Sequence, residues 1–556
     1  MKNKSNIFNI KTVLFLCLII TVFNACSKDD NETFEKTRLF SPVLNAGLLA
    51  EGNSIIVNMG KLKGAVGYTI EVSRDTFQTI EYTVPADTNY VKLNENNLGE
   101  ELFWNSLYQV RATAHDADPQ YDSKVSDLGG VRTERFPSIL NVPKTFDVTD
   151  IAARVSWTPL GDAITGMKAF APDDLRLETP LFPETPVTEE EFLAGEAIFN
   201  GLSPETEYQI AIYSGTELRG WVNYTTKIAD IDPTSPGVID IRDNENPDAV
   251  SDAVAAAPNG AIVLVKRGVT YNFPSDRLDK SITIRAAYGF GEQKAKIVTS
   301  GSWDIEAGST IDHIRFIDME VRGEDFGGDY VFNTNRSDVY VGEILFDNCT
   351  MGTFRGLVRI RGTVEVDNYK IMNTVVDSIG GYGLFTTDTN PSDPPTARVN
   401  NIVFSGSTFN KIDTGIQSRN NSQSIIIEDC TFANFIKNGA RMFRYRGGDG
   451  NDNVINGIKI TNSIFGHSWD QAESGTYGMQ GIAQGLANTN FELLNNYSTT
   501  NFSFSEGTEI PGFPIGNYTS TQEDLWVDTD NNDFNFKDIG FFGKFSAGAP
   551  MWRTKL

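Results

Sequence analysis

The sequence predicts an all-β chain, with two β-sandwiches followed by one long solenoid of stacked strands. Three observations predict it. Short runs of alternating apolar and polar residues fill the region before residue 230. Beyond it, one strand-and-turn segment recurs again and again. Throughout, Gly, Asn, Ser and Thr are abundant and long amphipathic helices are scarce.

The chain of 556 residues opens on a targeting pattern. Lys2, Lys4 and Lys11 are positive, and residues 13–23 form an apolar stretch too short to span a bilayer. It ends in Phe23-Asn24-Ala25-Cys26, which resembles the lipobox of bacterial lipoproteins, with Phe23 where many carry Leu or Val. The resemblance implies a signal peptide over 1–25 and a lipid on Cys26. The acidic run from Ser27 to Glu32 cannot pack a core, so 26–38 reads as a tether. It also resembles the signal that sends lipoproteins of Bacteroidetes-type bacteria to the cell surface. The expected location is therefore the outer membrane, lipid-anchored and exposed.

Residues 39–135 carry the strands of a first sandwich, among them Ile55-Ile56-Val57, Tyr68 to Val72 and Leu107 to Ala112. Residues 136–230 repeat the plan, with Trp157 on an early strand and Leu202-Ser203-Pro204-Glu205-Thr206-Glu207-Tyr208 later. That last run resembles the Leu-x-Pro-x-Thr-x-Tyr signature of fibronectin type III modules, in which the Tyr packs at a strand corner. Both modules read as spacers.

Asp230 to Pro236 is a linker, and residues 237–525 change in style. Residues 248–257 predict a short helix stopped by Pro258-Asn259-Gly260, then a strand and Gly268-Val269-Thr270-Tyr271. This opening resembles the N-terminal cap of pectate-lyase-like right-handed parallel β-helices. The helix would cover an open sheet edge. An apolar-x-apolar-x-Asn/Asp-small segment then recurs. Its last residues are Met319, Cys349, Thr374, Ser407, Cys430 and Ser463, at steps of 30, 25, 33, 23 and 33 residues. One constant strand with uneven intervals is the pattern of a solenoid with variable side loops. Residues 526–556 form an aromatic tail expected to cap the last coil.

Net charge is −26, a field that disfavours nucleic acid. His115, His313 and His467 are scattered, with no zinc-type spacing. Cys349 and Cys430 fall three coils apart, about 14 Å at the ~4.8 Å strand spacing. That is beyond disulfide reach, so both read as buried thiols.

The layout resembles lipoproteins of Bacteroidetes polysaccharide-utilisation systems, which join fibronectin-type modules, a pectate-lyase-like β-helix and a similar tail. The resemblance implies a polysaccharide partner, a membrane reached through the lipid, and neighbouring glycan-uptake proteins of the outer membrane. The residues themselves mark a surface. Val358 and Ile360 point inward, so Arg359 and Arg361 point out. By the same alternation Gln417 and Arg419 face out around Ile416 and Ser418, and Arg444 and Arg446 around Phe443 and Tyr445. The coil between offers Thr387 or Asp388, and the coil before offers Asn333 and Asn335. An arginine column on an acidic protein suits an acidic polysaccharide, because guanidinium matches carboxylate through a two-point fork.

The expected work is glycan capture. A lyase acting by β-elimination with an Arg or Lys base is the alternative, and an adhesin a weaker one. No cofactor is assigned. Calcium is left open with Asp388 as its one candidate ligand on this face, and Asp528 to Asp533 reads as a turn.

Overall fold

The computed structural model describes residues 36–389, 397–448, 450–513 and 516–554. The leader, Cys26 and most of the tether lie outside them. No helix among the described residues is long and apolar enough to cross a membrane. The chain divides into two compact units. One holds residues up to Val142, Ser156–Ala197 and Tyr208–Asn223; the other holds Pro143–Val155, Ile198–Glu207 and Tyr224–Leu556.

The first unit is antiparallel. Leu49–Glu51, Ser54–Asn58 and Tyr90–Leu93 make a three-stranded sheet. Tyr82–Ala86, Gly67–Ser73, Leu107–His115 and Ser126–Arg132 make a four-stranded one. Period-2 alternation puts Ile55, Val57, Ile70, Val72, Tyr108, Val110 and Ala112 into one core. The Tyr108 hydroxyl accepts the backbone N–H of Phe103 at 2.9 Å, so a tyrosine ties a strand corner in this sandwich. A further four-stranded antiparallel sheet runs Thr185–Pro186, Gly166–Phe170, Glu207–Ser214, Glu217–Thr225, with Tyr208 buried.

The second unit is built on a 23-stranded sheet from Val238–Asp240 to Gly516–Asn517, whose strand pairings are parallel. Helix Ala249–Ala256 stands at its start and buries Ala249, Val250, Ala253 and Val254 in the core, as the sequence predicts. Each strand pairs with the one a full sequence step later. Ile314–Ile317 lies on residues 344–347, those on 369–372, then 402–405, 425–428, 458–461 and 491–494. Inward aromatics stack between steps, as in Phe409 on Phe432 at 5.1 Å and Phe432 on Phe465 at 4.4 Å.

The recurring turn explains the Asn/Asp-small signal. Asp318, Asn348, Asn373, Gly406, Asp429, Asn462 and Asn495 all adopt φ between 50° and 61°. Asn, Asp and Gly are the residues that enter this left-handed region at least cost. The next residue then stacks on its equivalents. Cys349 N–H donates to the Thr374 hydroxyl and Thr374 N–H to Ser407, while Cys430 N–H donates to Ser463. Cys349 and Cys430 are buried unpaired thiols three steps apart in this stack. Burial pushes the Cys349 thiol up to about 12 and raises Cys430 as well, so neither is a nucleophile.

The tail departs from the expected cap. It runs back along a flank of the sheet, where Leu525, Trp526, Phe534, Phe541 and Ala547 pack on Ala433 and Ile464. Small outward residues make that groove. At Gly466 even a Cβ would lie 2.0 Å from the Gln522 side-chain oxygen.

Candidate functional site

One outward file crosses the parallel sheet. Asn333 pairs with Arg359, Arg359 with Thr386, Thr386 with Gln417, Gln417 with Arg444, and Arg444 with Gln484. A second file lies two residues further along each strand. There Asn335 pairs with Arg361, and the Asp388 N–H donates to Ile360 O at 3.0 Å, which levels Asp388 with Arg361. Arg446 N–H donates to Ser418 O at 2.8 Å, which levels Arg446 with Arg419. Val358, Ile360, Ile416, Ser418, Phe443 and Tyr445 are buried, as the alternation requires, but Gln417, expected to face out, is buried as well at 5% exposure. Thr387 turns inward and Asp388 outward.

The side chains converge. Asp388 accepts from Arg359 at 2.5 Å, from Arg446 at 2.8 Å and from Arg419 at 3.4 Å. Arg361 donates to the Asn333 side-chain oxygen at 3.0 Å, and Arg444 to that of Gln484 at 3.4 Å. Gln417 donates to the Gly381 carbonyl at 3.2 Å, which holds it against the backbone. Asn335 is exposed. Three residues outside the sequence reading join the set. Tyr382 lies under the guanidinium groups of Arg359, 4.2 Å from its ring centre, and Arg355, 4.8 Å away. Arg441 stands on the strand that carries Arg444.

Positive charge dominates. Burial alone would raise the Asp388 pKa, but its bond to Arg359, the charges of Arg359 and Arg446, and the bond to Arg419 hold it below the ordinary carboxylate value. Burial lowers Arg446, and the charges of Arg419 and Arg444 lower it further. Burial and then Arg446 lower Arg441; burial, Arg441 and Arg419 lower Arg444. Guanidinium stays protonated under such shifts, so the arginines repel one another. Among the described residues Asp388 is the shared counter-ion of Arg359, Arg419 and Arg446. The Nε–H groups of Arg359, Arg361, Arg441 and Arg446 are buried with no hydrogen-bond partner among the described residues. An orphaned buried donor costs free energy that an acceptor brought from outside would recover. The arrangement can therefore take up carboxylates or similar anions.

Asp388 is not suited to calcium. A carboxylate already shared by three arginines is surrounded by cations, and a divalent ion there would meet their repulsion. Among the described residues no three His, Cys, Asp or Glu side chains are grouped to hold a metal. Asp528 instead caps the turn Thr529–Asn531, accepting from the Asp530 and Asn531 N–H groups at 3.1 and 3.3 Å.

The chain matches two family models, each described as a domain of unknown function. DUF4957 covers residues 269–411 and DUF5123 covers 425–552. No curated protein matches. Among solved structures the chain is similar to the crystal structure of chicken CNTN1 FN1–FN3 domains, at 13% identity and a TM-score of 0.15. That match covers 34% of this chain and 66% of the other.

Proposed function

We propose that this protein is a surface lipoprotein that captures an acidic, uronate-containing polysaccharide on its arginine face. The observation that carries the reading is the set of buried Arg359, Arg361, Arg441 and Arg446 Nε–H donors left without partners among the described residues, on an otherwise acidic chain. Support for the scaffold comes from the strand order. Parallel strands that pair step upon step suit a right-handed β-helix, and the three- and four-stranded antiparallel sheets suit a fibronectin III-like module. The lipobox-like Cys26 supports display on the outer membrane, beside the transport proteins that would receive the glycan.

Retardation in gels containing pectin, alginate or glycosaminoglycans tests the reading, with and without calcium. One acidic polymer should slow the protein, and Arg359→Ala with Arg446→Ala should abolish the effect. Unchanged retardation in that double variant would sink the site. One observation favours β-elimination as a second reading: Arg359, Arg419 and Arg446 converge on one point of the face, where guanidinium groups would neutralise the carboxylate of a uronate and acidify the proton beside it. Ultraviolet absorbance from unsaturated product would establish it.

A further inference from the structure

We propose that Asp388 makes the arginine face selective for polyanions in which acidic and uncharged sugars alternate, against polymers charged on every sugar. The proposal rests on the reading of this face as a polysaccharide site. Its basis is the position of Asp388, the carboxylate that pairs with these arginines among the described residues. Asp388 lies in the outward file between Arg361 and Arg419, one strand spacing from the latter. It already occupies Arg359, Arg419 and Arg446. A ligand carboxylate opposite it would meet a like charge and find the Nη2 groups of Arg359 and Arg446 and the Nε of Arg419 engaged.

The Nε–H groups left unpartnered among the described residues lie to either side. Arg359 and Arg361 are before Asp388, and Arg441 and Arg446 are beyond it. Arg361 and Arg446 are three steps apart, about 14 Å at the usual strand spacing. Between them an uncharged sugar fits best, because its hydroxyl or amide N–H groups donate to a carboxylate. The device is repulsive selection. Asp388 removes affinity for the wrong charge pattern more than it adds affinity for the right one.

The test measures affinity of the full-length chain in detergent for two oligosaccharides of equal length. One is polygalacturonate, with a carboxylate on each sugar; the other is hyaluronan, with one on alternate sugars. Wild type should prefer hyaluronan by roughly tenfold, the scale of a like-charge contact. Asp388→Asn should bring the ratio close to one by tightening polygalacturonate, a gain that damage to the fold would not produce. Asp388→Glu, which keeps the charge, should restore the preference. Equal binding of both polymers by wild type, or a preference for polygalacturonate, overturns the proposal and leaves the anionic site standing. Binding of neither polymer, nor of any other polyanion, overturns the site and the proposal together.

Discussion

Two outward faces of the same parallel sheet end differently. On the flank, the chain's own C-terminal segment meets the sheet's polar groups. Asn410 donates to Thr529 O at 2.7 Å, Asn532 to Asp377 at 3.0 Å, and the Trp552 indole to the Thr408 hydroxyl at 2.8 Å. On the arginine face, among the described residues, no segment of this kind supplies acceptors and four buried Nε–H groups lack a partner. Both faces come from the same repeating steps, so strand geometry does not cause the difference. What differs is outward side-chain size and charge. Small residues such as Thr431 and Ala433 leave a groove that aromatic rings fill, whereas long like-charged side chains exclude an apolar tail. The flank is therefore a surface covered by the chain itself, and the arginine face is one whose buried donors find no partner among the described residues.

The largest effect that separates the two should come from Trp526→Ala. Trp526 is 1% exposed and meets Phe534 edge-on at 5.6 Å. Truncating a buried aromatic costs about 3–5 kcal/mol, read as a lower denaturant midpoint. Retention by the acidic polymer should not change while the variant remains folded. If the midpoint stays put, the flank does not stabilise the sheet and the contrast breaks.

Arg444→Ala should do the reverse. Its loss relieves repulsion with Arg441 and Arg419, so the midpoint should hold within about 1 kcal/mol. Polymer affinity should fall roughly tenfold, the size of one charge-assisted contact. Titration of folded protein with the retarding polymer checks it, and full affinity would remove Arg444 from the site.

Much of this contrast was legible in the sequence. The turn positions were readable because only a few residue types accept positive φ, and the stack Cys349, Thr374, Ser407, Cys430, Ser463 follows the sequence register. The arginine file was readable because inward Val358, Ile360, Ile416 and Phe443 set the phase of each strand. Arg355 was not, since the register shifts between Phe354 and Gly356 and breaks that phase. Tyr382 was hidden among glycines that carry no alternation. The engagement of Asp388 by three arginines depends on lateral distances between steps, which no spacing along the chain encodes. The tail's aromatic content announced burial but not its address, because the groove is formed by residues more than a hundred positions earlier.

A smaller effect is expected where the tail is pinned to a turn. Arg553 bonds Asp429 at 2.5 Å and the Gly548 carbonyl at 2.8 Å. The pair is partly exposed, so Arg553→Ala should cost no more than about 1 kcal/mol. Hydrogen exchange should rise first in residues 547–553, while protection of the arginine-face strands stays the same. A matching rise on both faces would mean that they unfold as one and that the flank has no separate role.

The smallest effect is a pH dependence confined to the flank. Glu523 accepts from the His467 ring at 2.9 Å, and that bond holds its carboxyl down to about 2 from an ordinary value near 4.5. The folded value is the depressed one, so the unfolded chain binds the proton more readily. The stabilisation is therefore complete above about 4.5 and is lost as the pH falls toward 2. Glu523 is more than half exposed, so solvent screens the interaction and the slope will be shallow. Glu523→Gln should flatten the midpoint-against-pH curve over that window and leave it unchanged above it. Asp388 also titrates low, but its protonation frees arginines instead of breaking a packed surface. Thus acid should affect the two faces in opposite ways, loosening the flank while opening the arginine face. If Glu523→Gln instead leaves the low-pH slope intact, the acid sensitivity belongs elsewhere and the flank owes its stability to packing alone.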